Sequence, residues 1–211
     1  ADLLTVAKSL LISEKIKKEI IALKANKNSP IFLLLKKIKF NMEITKEIIK
    51  AFKNDLQNLK DENFINDGFS KDLDKLKLIK KYSSQKILSL QNEYVKFTSI
   101  NSLKIKFNKV LGYHIEVRAI HIEKMNNLNQ FIHRQTTAQA SRYTTNQLLS
   151  LEKDIYESDL KIKEKEIEIF EKIKSRLLEE RLLIFNTSDS ISKLDIALMT
   201  ADQSINKNYV R

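Results

Sequence analysis

The chain has 211 residues, 42% of them hydrophobic, so it is long enough for one or two domains with a core and too apolar for wholesale disorder. The 38 Lys and Arg residues outnumber 27 Asp and Glu residues, and the formal net charge of +11 favours a polyanionic partner or an acidic lipid surface. The lack of cysteine excludes disulfides and thiolate metal sites and is typical of a reducing cytoplasm.

Two glycines and one proline leave few turns, which predicts a small number of long helices. The most apolar run, residues 31–35, is too short to cross a bilayer, and the first residues lack the basic start of a signal peptide. We therefore expect a soluble, cytoplasmic protein with no membrane partner.

Helical periodicity dominates the first hundred residues. Apolar side chains recur close to every 3.6 residues over residues 3–23, which predicts an amphipathic helix. Ser29 and Pro30 form a typical helix start, and the second helix is expected to break near Asn41 and to resume to about Phe52.

A turn at Asp67-Gly68 precedes a third helical region. Ser70 can cap it, and apolar residues at intervals of three and four predict a long helix over residues 71–98.

From residue 103 the hydrophobic period changes to two. LKIKFN and YHIEVR each alternate apolar with polar residues, and Leu111-Gly112 lies between them where a hairpin needs its turn. The alternation also predicts that Phe107 is buried. FIHRQTTA and SRYTT can supply two further strands of a small antiparallel sheet.

Helical periodicity returns at Asn146 and predicts one helix to Phe185, about 60 Å long at 1.5 Å per residue. So long a helix should pair with the helix over residues 71–98. Its segment KEKEIEIFEK is expected to be a solvated face.

The predicted fold class is mainly α with a small β-rich insertion, in which two long antiparallel helices carry the sheet at their tip. The predicted domains are a helical region at 1–98, a β-rich tip at 99–145 and a returning helical region at 146–211.

The tip is the most basic part of the chain. Residues 101–145 contain seven Lys and Arg residues against two Glu residues, a net charge of +5. Three of the six arginines fall there, and none occurs in the first hundred residues. Because the guanidinium group offers a planar fork of donors that suits phosphate, the tip is the expected site of anion binding.

The tip also carries a family resemblance. LKIKFNKVLGYHIEV, followed by IHRQTTAQASRYTTNQLLSLEKDI, closely resembles the clamp and lever region of the MutS mismatch-repair family. FINDGFSKDLDKL upstream and LDIALMTADQSINKNYVR at the end resemble family segments on either side of that region, so the resemblance covers nearly the whole chain.

The resemblance implies a dimeric ATPase, cooperating with repair partner proteins, that closes around double-stranded DNA. Its clamp would hold the phosphate backbone without sequence preference, and its lever helices would carry the signal to the ATPase. Two glycines cannot form a G-x-x-x-x-G-K-[ST] loop, so we expect this chain to be a non-enzymatic fragment without cofactors, and ATP and Mg²⁺ to belong to the parent protein. No Phe has a Glu two residues later, so the family's mismatch wedge is missing too.

Carried over by position, Arg134 and Gln135 match the family's RQT element, Gln139 stands where relatives often have Asn, and Arg142 matches the Arg of RY. These four residues are the predicted phosphate contacts. Ala138 and Ser141 replace a Lys and a Glu found in relatives, so affinity is expected to shift onto further cations of the first hairpin. They are Lys104, Lys106 and Lys109.

Two other functions remain open from the residues alone. A helical coiled-coil scaffold could use the basic tip to bind protein or acidic lipid, but Ser84, Asp159 and Glu166 interrupt the heptad seams it needs. A helical arm that binds RNA would not need alternating strands at its tip. The tip's three histidines lack the spacing of a metal site, and no grouping of Ser, His and Asp predicts catalysis.

Overall fold

The computed structural model describes residues 2–23, 29–54 and 63–207. The helices are α1 Asp2–Ala22, α2 Pro30–Lys37, α3 Met42–Ala51, α4 Lys71–Thr98, α5 Ile122–Asn126, α6 Asn146–Glu179 and α7 Arg181–Lys207. The strands are β1 Lys104–Asn108, β2 Gly112–Arg118, β3 Ile132–Thr136 and β4 Ala140–Thr144, and a 3₁₀ turn covers Ala119–His121. This confirms a mainly α fold with a small β insertion.

Side-chain caps set the predicted helix starts. Ser29 Oγ accepts a hydrogen bond from the Phe32 N–H, and Ser70 Oγ accepts one from the Leu73 N–H. Asn41 ends the gap after α2, and its side chain accepts from two N–H groups of the first turn of α3. Each cap satisfies donors that have no partner within the helix, so the helix starts where the cap residue stands.

The prediction of one helix from Asn146 to Phe185 was wrong. Helix α6 ends at Glu179, and α7 begins at Arg181. The Glu180 N–H donates to Leu177 O, three residues back instead of four, so the last turn tightens before the break. The sequence has no Gly or Pro here, so no local signal marked the break.

The chain divides into two compact units. The base unit contains residues 1–69 and 166–211, and the sheet unit contains residues 70–165. In the base unit, Leu35, Ile38 and Leu194 form a small core. In the described part of the chain, no helix is both long and apolar enough to cross a membrane.

In the sheet unit, all neighbouring strands are antiparallel and their order is β1-β2-β4-β3. The inner face of the sheet packs on α4 and α6. The core residues of this unit are Ile87, Leu90, Tyr94, Ile100, Leu103, Ile115, Val117, Met125, Phe131, Tyr143, Leu148, Leu151 and Ile155. Burial of these side chains gives the sheet its stability.

Helices α4 and α6 run antiparallel, as predicted. A 2.6 Å hydrogen bond joins the Tyr94 and Thr145 hydroxyls, and fourteen residues away along each helix Lys80 pairs with Asp159 at 2.5 Å. Equal spacing along both chains is the expected register of two antiparallel helices.

The expected burial of Phe107 was wrong, since its side chain is 61% exposed. Leu103, just before β1, is buried and Ile105 is half-buried, so burial falls along this edge strand towards the hairpin turn. Alternation identified the face of the strand on which Phe107 lies, but the core covers only the beginning of that face.

The expectation that KEKEIEIFEK is solvated holds for Lys163 but not for Glu166, which is 1% exposed. Glu166 Oε2 accepts from the Asn63 N–H at 3.0 Å, and Oε1 accepts from the Ile65 N–H at 3.1 Å. Asn63 has a left-handed backbone, with φ of +69°. The buried carboxylate thus takes the place of a strand partner for the segment before α4.

We predict that Glu166→Ala lowers the free energy of unfolding by about 2–4 kcal/mol, because it removes the acceptor of two buried or half-buried backbone hydrogen bonds. Urea denaturation followed by circular dichroism measures the loss. Glu164→Ala, an exposed Glu two residues earlier on α6, is the matched control and should stay within about 0.5 kcal/mol. Equal losses for the two variants would contradict the assigned role of Glu166.

Candidate nucleic-acid interface

Four of the seven predicted contacts lie together on the outer face of the sheet, the face opposite the core. Strand pairing places Lys104 opposite Glu116, Glu116 opposite Arg142, and Arg142 opposite Gln135. Lys106 lies two residues along β1 on the same face. Directly paired residues share a face, so the register alone brings side chains from all four strands into one row.

Hydrogen bonds join the outer-face side chains. Lys106 Nζ donates to Glu116 Oε1 at 2.6 Å, and Arg142 Nε donates to Glu116 Oε2 at 3.4 Å. Arg142 Nη1 also donates to Gln135 Oε1 at 2.8 Å. The Lys106 hydrogen bond is the main cause that holds the pKa of Glu116 below its usual value, so the carboxylate is ionised at neutral pH.

Arg134 lies beside this row, at an irregularity in β3. His133 pairs with Tyr143 while Gln135 pairs with Arg142, so Arg134 is an extra residue without a partner on β4. Such a bulge turns a side chain away from the regular alternation. Arg134 is exposed, and its guanidinium makes no ion pair with another described residue.

Gln139 and Lys109 lie at opposite ends of the sheet. Gln139 belongs to the β3–β4 turn, where its carbonyl accepts from the Ala119 N–H at 3.2 Å and its side chain is exposed. Lys109 is exposed in the β1–β2 turn. The structure therefore keeps Gln139 and Lys109 apart.

The β1–β2 turn is attached to α6 by Glu152. The Tyr113 N–H donates to Glu152 Oε1 at 3.0 Å, and Gly112 has a φ of +70°. A Cβ atom on Gly112 would overlap Glu152 Oε1. The backbone conformation favours glycine at this position, and a side chain there would displace the Glu152 carboxylate from the Tyr113 N–H.

Sequence reasoning missed the roles of Glu116 and Glu152. Glu116 entered only as a negative charge, although its alternation with Ile115 and Val117 already placed it on the polar face of β2. The contact between Glu152 and Gly112 joins residues 40 positions apart and left no local signal. The sequence also did not predict α5, or the burial of His114, which is 2% exposed with Nδ1 3.0 Å from Gly112 O.

In residues 2–23, 29–54 and 63–207, no three His, Asp or Glu side chains are grouped as they would be around an ion. The ring of Tyr143 is buried in the core of the sheet unit.

Comparison with known proteins gives one consistent family. A model described as MutS family domain IV matches residues 68–161, which agrees with the sheet unit to within four residues at either end. The DNA mismatch repair protein MutS of Clostridium novyi is 30% identical over 83% of this chain and 20% of its own length. The proteins of the same name from Roseobacter denitrificans and Bartonella henselae are 37% and 35% identical over 72% and 77% of this chain, and 18% of their own lengths. The chain thus spans about a fifth of the length of these relatives.

We predict that Gly112→Ala lowers the free energy of unfolding by about 2–4 kcal/mol, from backbone strain and from the overlap with Glu152. Gly68→Ala is the matched control, because Gly68 also has a positive φ but no heavy atom near the position of a Cβ. It should cost about 1–2 kcal/mol, for the backbone alone. In a Glu152→Ala background, the free energy lost through Gly112→Ala should fall to the value of the Gly68→Ala control. The same loss with and without Glu152 would show that the Glu152 carboxylate moves aside without a cost in stability.

Proposed function

The chain belongs to the MutS family, and on that premise we propose that it is part of a DNA mismatch repair protein whose outer sheet face holds duplex DNA by the phosphate backbone. The proposal rests above all on the four predicted contacts in the outer-face row, which are Lys104, Lys106, Gln135 and Arg142. Cations and hydrogen-bond donors on a flat sheet suit phosphates, which carry no sequence information.

The two arginines supply different kinds of contact in this proposal. Arg134 projects from the bulge as an exposed cation that can meet a phosphate directly. Arg142 is held in place from two sides, since its Nε and Nη1 atoms donate to Glu116 and Gln135. Its Nη2 atom makes no hydrogen bond to another described residue and is left for a phosphate oxygen. The neutral Gln135 contact can hold the guanidinium when phosphate takes the place of Glu116, and a held side chain loses less conformational entropy on binding than a free one.

Gln139 and Lys109 take secondary roles. Gln139 lies at the β3–β4 turn, at the end of the sheet where Arg118 and Ala140 pair, and can extend the contact to a neighbouring phosphate. Lys109 lies at the other end of the sheet, so a duplex that follows the row need not reach it. We assign Lys109 the weakest effect of the seven residues.

Helices α4 and α6 act as levers in this proposal. Both contribute to the core beneath the sheet. Helix α6 is a single element of 34 residues, long enough to carry a force away from the sheet. In this proposal, ATP and Mg²⁺, a second copy of the protein and repair partners belong to the parent protein, and this chain spans about a fifth of the length of its relatives.

We predict that Arg134→Ala and Arg142→Ala each weaken binding to every duplex by about three- to tenfold, and that each lowers the salt slope by about 0.9. Fluorescence anisotropy of the 211-residue chain with matched and mismatched duplexes, at several salt concentrations, measures both quantities. The affinity ratio between the two duplexes should stay near one, because backbone contacts do not read bases.

Lys161→Ala and Lys163→Ala provide matched controls, because both lysines are exposed on α6 and removing either changes the charge equally. Each should alter affinity by less than about twofold. Arg134→Lys separates charge from donor geometry, and should restore the slope while recovering only part of the affinity. If the arginine and lysine variants lose affinity equally, the attraction is a general charge effect and the interface is misplaced.

A further inference from the structure

Glu116 is the one acidic side chain in the outer-face row. We infer that Glu116 limits the affinity of this face for DNA, because its carboxylate competes with phosphate for Lys106 and Arg142. The inference rests on the proposed function, since it concerns the strength of that same interface.

The geometry makes Glu116 the common partner of both cations. It stands on β2, between β1 and β4, and each of its oxygens takes one neighbour: Oε1 pairs with Lys106 and Oε2 with Arg142. All three side chains remain partly open to solvent, so a phosphate can approach them without a rearrangement of the core.

A phosphate that approaches this group therefore meets two cations and one anion. The formal charge of the three groups is +1, whereas the two cations alone would carry +2. Ion pairs that are as open to solvent as these are weak, so a phosphate can displace the carboxylate. Breaking each ion pair nevertheless makes the free energy of DNA binding less favourable. Glu116 thus lowers the affinity of this face for phosphate without blocking access to it.

Arg134 provides an internal contrast. It projects from the bulge in β3, and Glu116 makes its ion pairs with Lys106 and Arg142 only, within the described residues. Removing the charge of Glu116 should therefore strengthen the contacts of Lys106 and Arg142 and leave the contact of Arg134 unchanged.

The test compares Glu116→Gln with Glu123→Gln in the full chain, using matched duplexes and anisotropy titrations. Glu123 is exposed on α5 in the same unit, so both variants gain the same formal charge. Glu116→Gln should bind every duplex about three- to tenfold tighter at low salt and should steepen the salt slope by roughly one to two contacts. Glu123→Gln should change affinity by less than about twofold and leave the slope unchanged.

Combined variants locate the effect. The gain from Glu116→Gln should persist with Arg134→Ala and should disappear when both Lys106 and Arg142 are replaced by Ala. Glu116→Asp, whose shorter carboxylate reaches one cation less well, should give a smaller gain, and it serves as the second variant if the Gln protein does not fold. Urea denaturation establishes folding for each variant.

Two outcomes would overturn the inference while the DNA interface itself survives. Equal gains in affinity for Glu116→Gln and Glu123→Gln would show that only the net charge matters. Weaker binding by a folded Glu116→Gln variant would show that the carboxylate positions the cations for DNA. Failure of the proposed function has a different signature: Arg134→Ala and Arg142→Ala would then bind DNA as the unmodified chain does.

Discussion

Burial of Ile115, Val117 and Tyr143 against α4 and α6 fixes the register of the sheet, and the arrangement of the outer face follows from that register. Side chains alternate with a period of two, so a slip of one residue would turn these apolar groups to solvent and bring Glu116 and Arg142 into the core. Neither change is tolerable, since burying unpaired charge is far more costly than losing one hydrophobic contact. The burial that fixes the inner face of the sheet therefore also fixes the positions of the cations on the outer face.

The same two helices also hold the sheet through its backbone. The Ile105 N–H donates to Gln91 Oε1 of α4 at 2.8 Å, and the Tyr113 N–H donates to Glu152 Oε1 of α6. Strand β1 pairs with β2 only, so its other edge would otherwise present unpaired donors. One side-chain acceptor from each helix thus ties the β1–β2 hairpin to the structure that supports it, and a rigid platform is what a surface needs to hold a regular backbone.

Much of this arrangement could be predicted from the sequence where a local rule decides it. Ser29, Asn41 and Ser70 each start a helix by satisfying its own first N–H groups, which requires only neighbouring residues. Strands β1 and β2 followed from alternation, and the choice of Arg134 and Arg142 as site residues followed from the family resemblance.

The wrong predictions of burial share a physical cause. Periodicity identifies the face of a strand or helix on which a residue lies, but it does not show which distant segment covers that face. Phe107 lies on the apolar side of β1 but beyond the reach of the core, and Glu166 lies in a charged helical segment but beneath the backbone of residues 63–65. In both cases the deciding neighbour is distant in sequence. The break at Glu180 is different, since no residue type at that point disfavours a helix.

The three glutamates with structural roles show why a net charge of +11 says so little about binding. Glu166 accepts from backbone N–H groups in the interior, and Glu152 accepts from a backbone N–H at the hairpin turn. Neither carboxylate therefore needs a cation of the outer face as its partner. Glu116 is satisfied by two of those cations. The charge of the outer face therefore depends on which partner each carboxylate has. A carboxylate that accepts from the backbone leaves the cations of that face unpaired, whereas one that pairs with a cation lowers the charge of the face at the same overall composition.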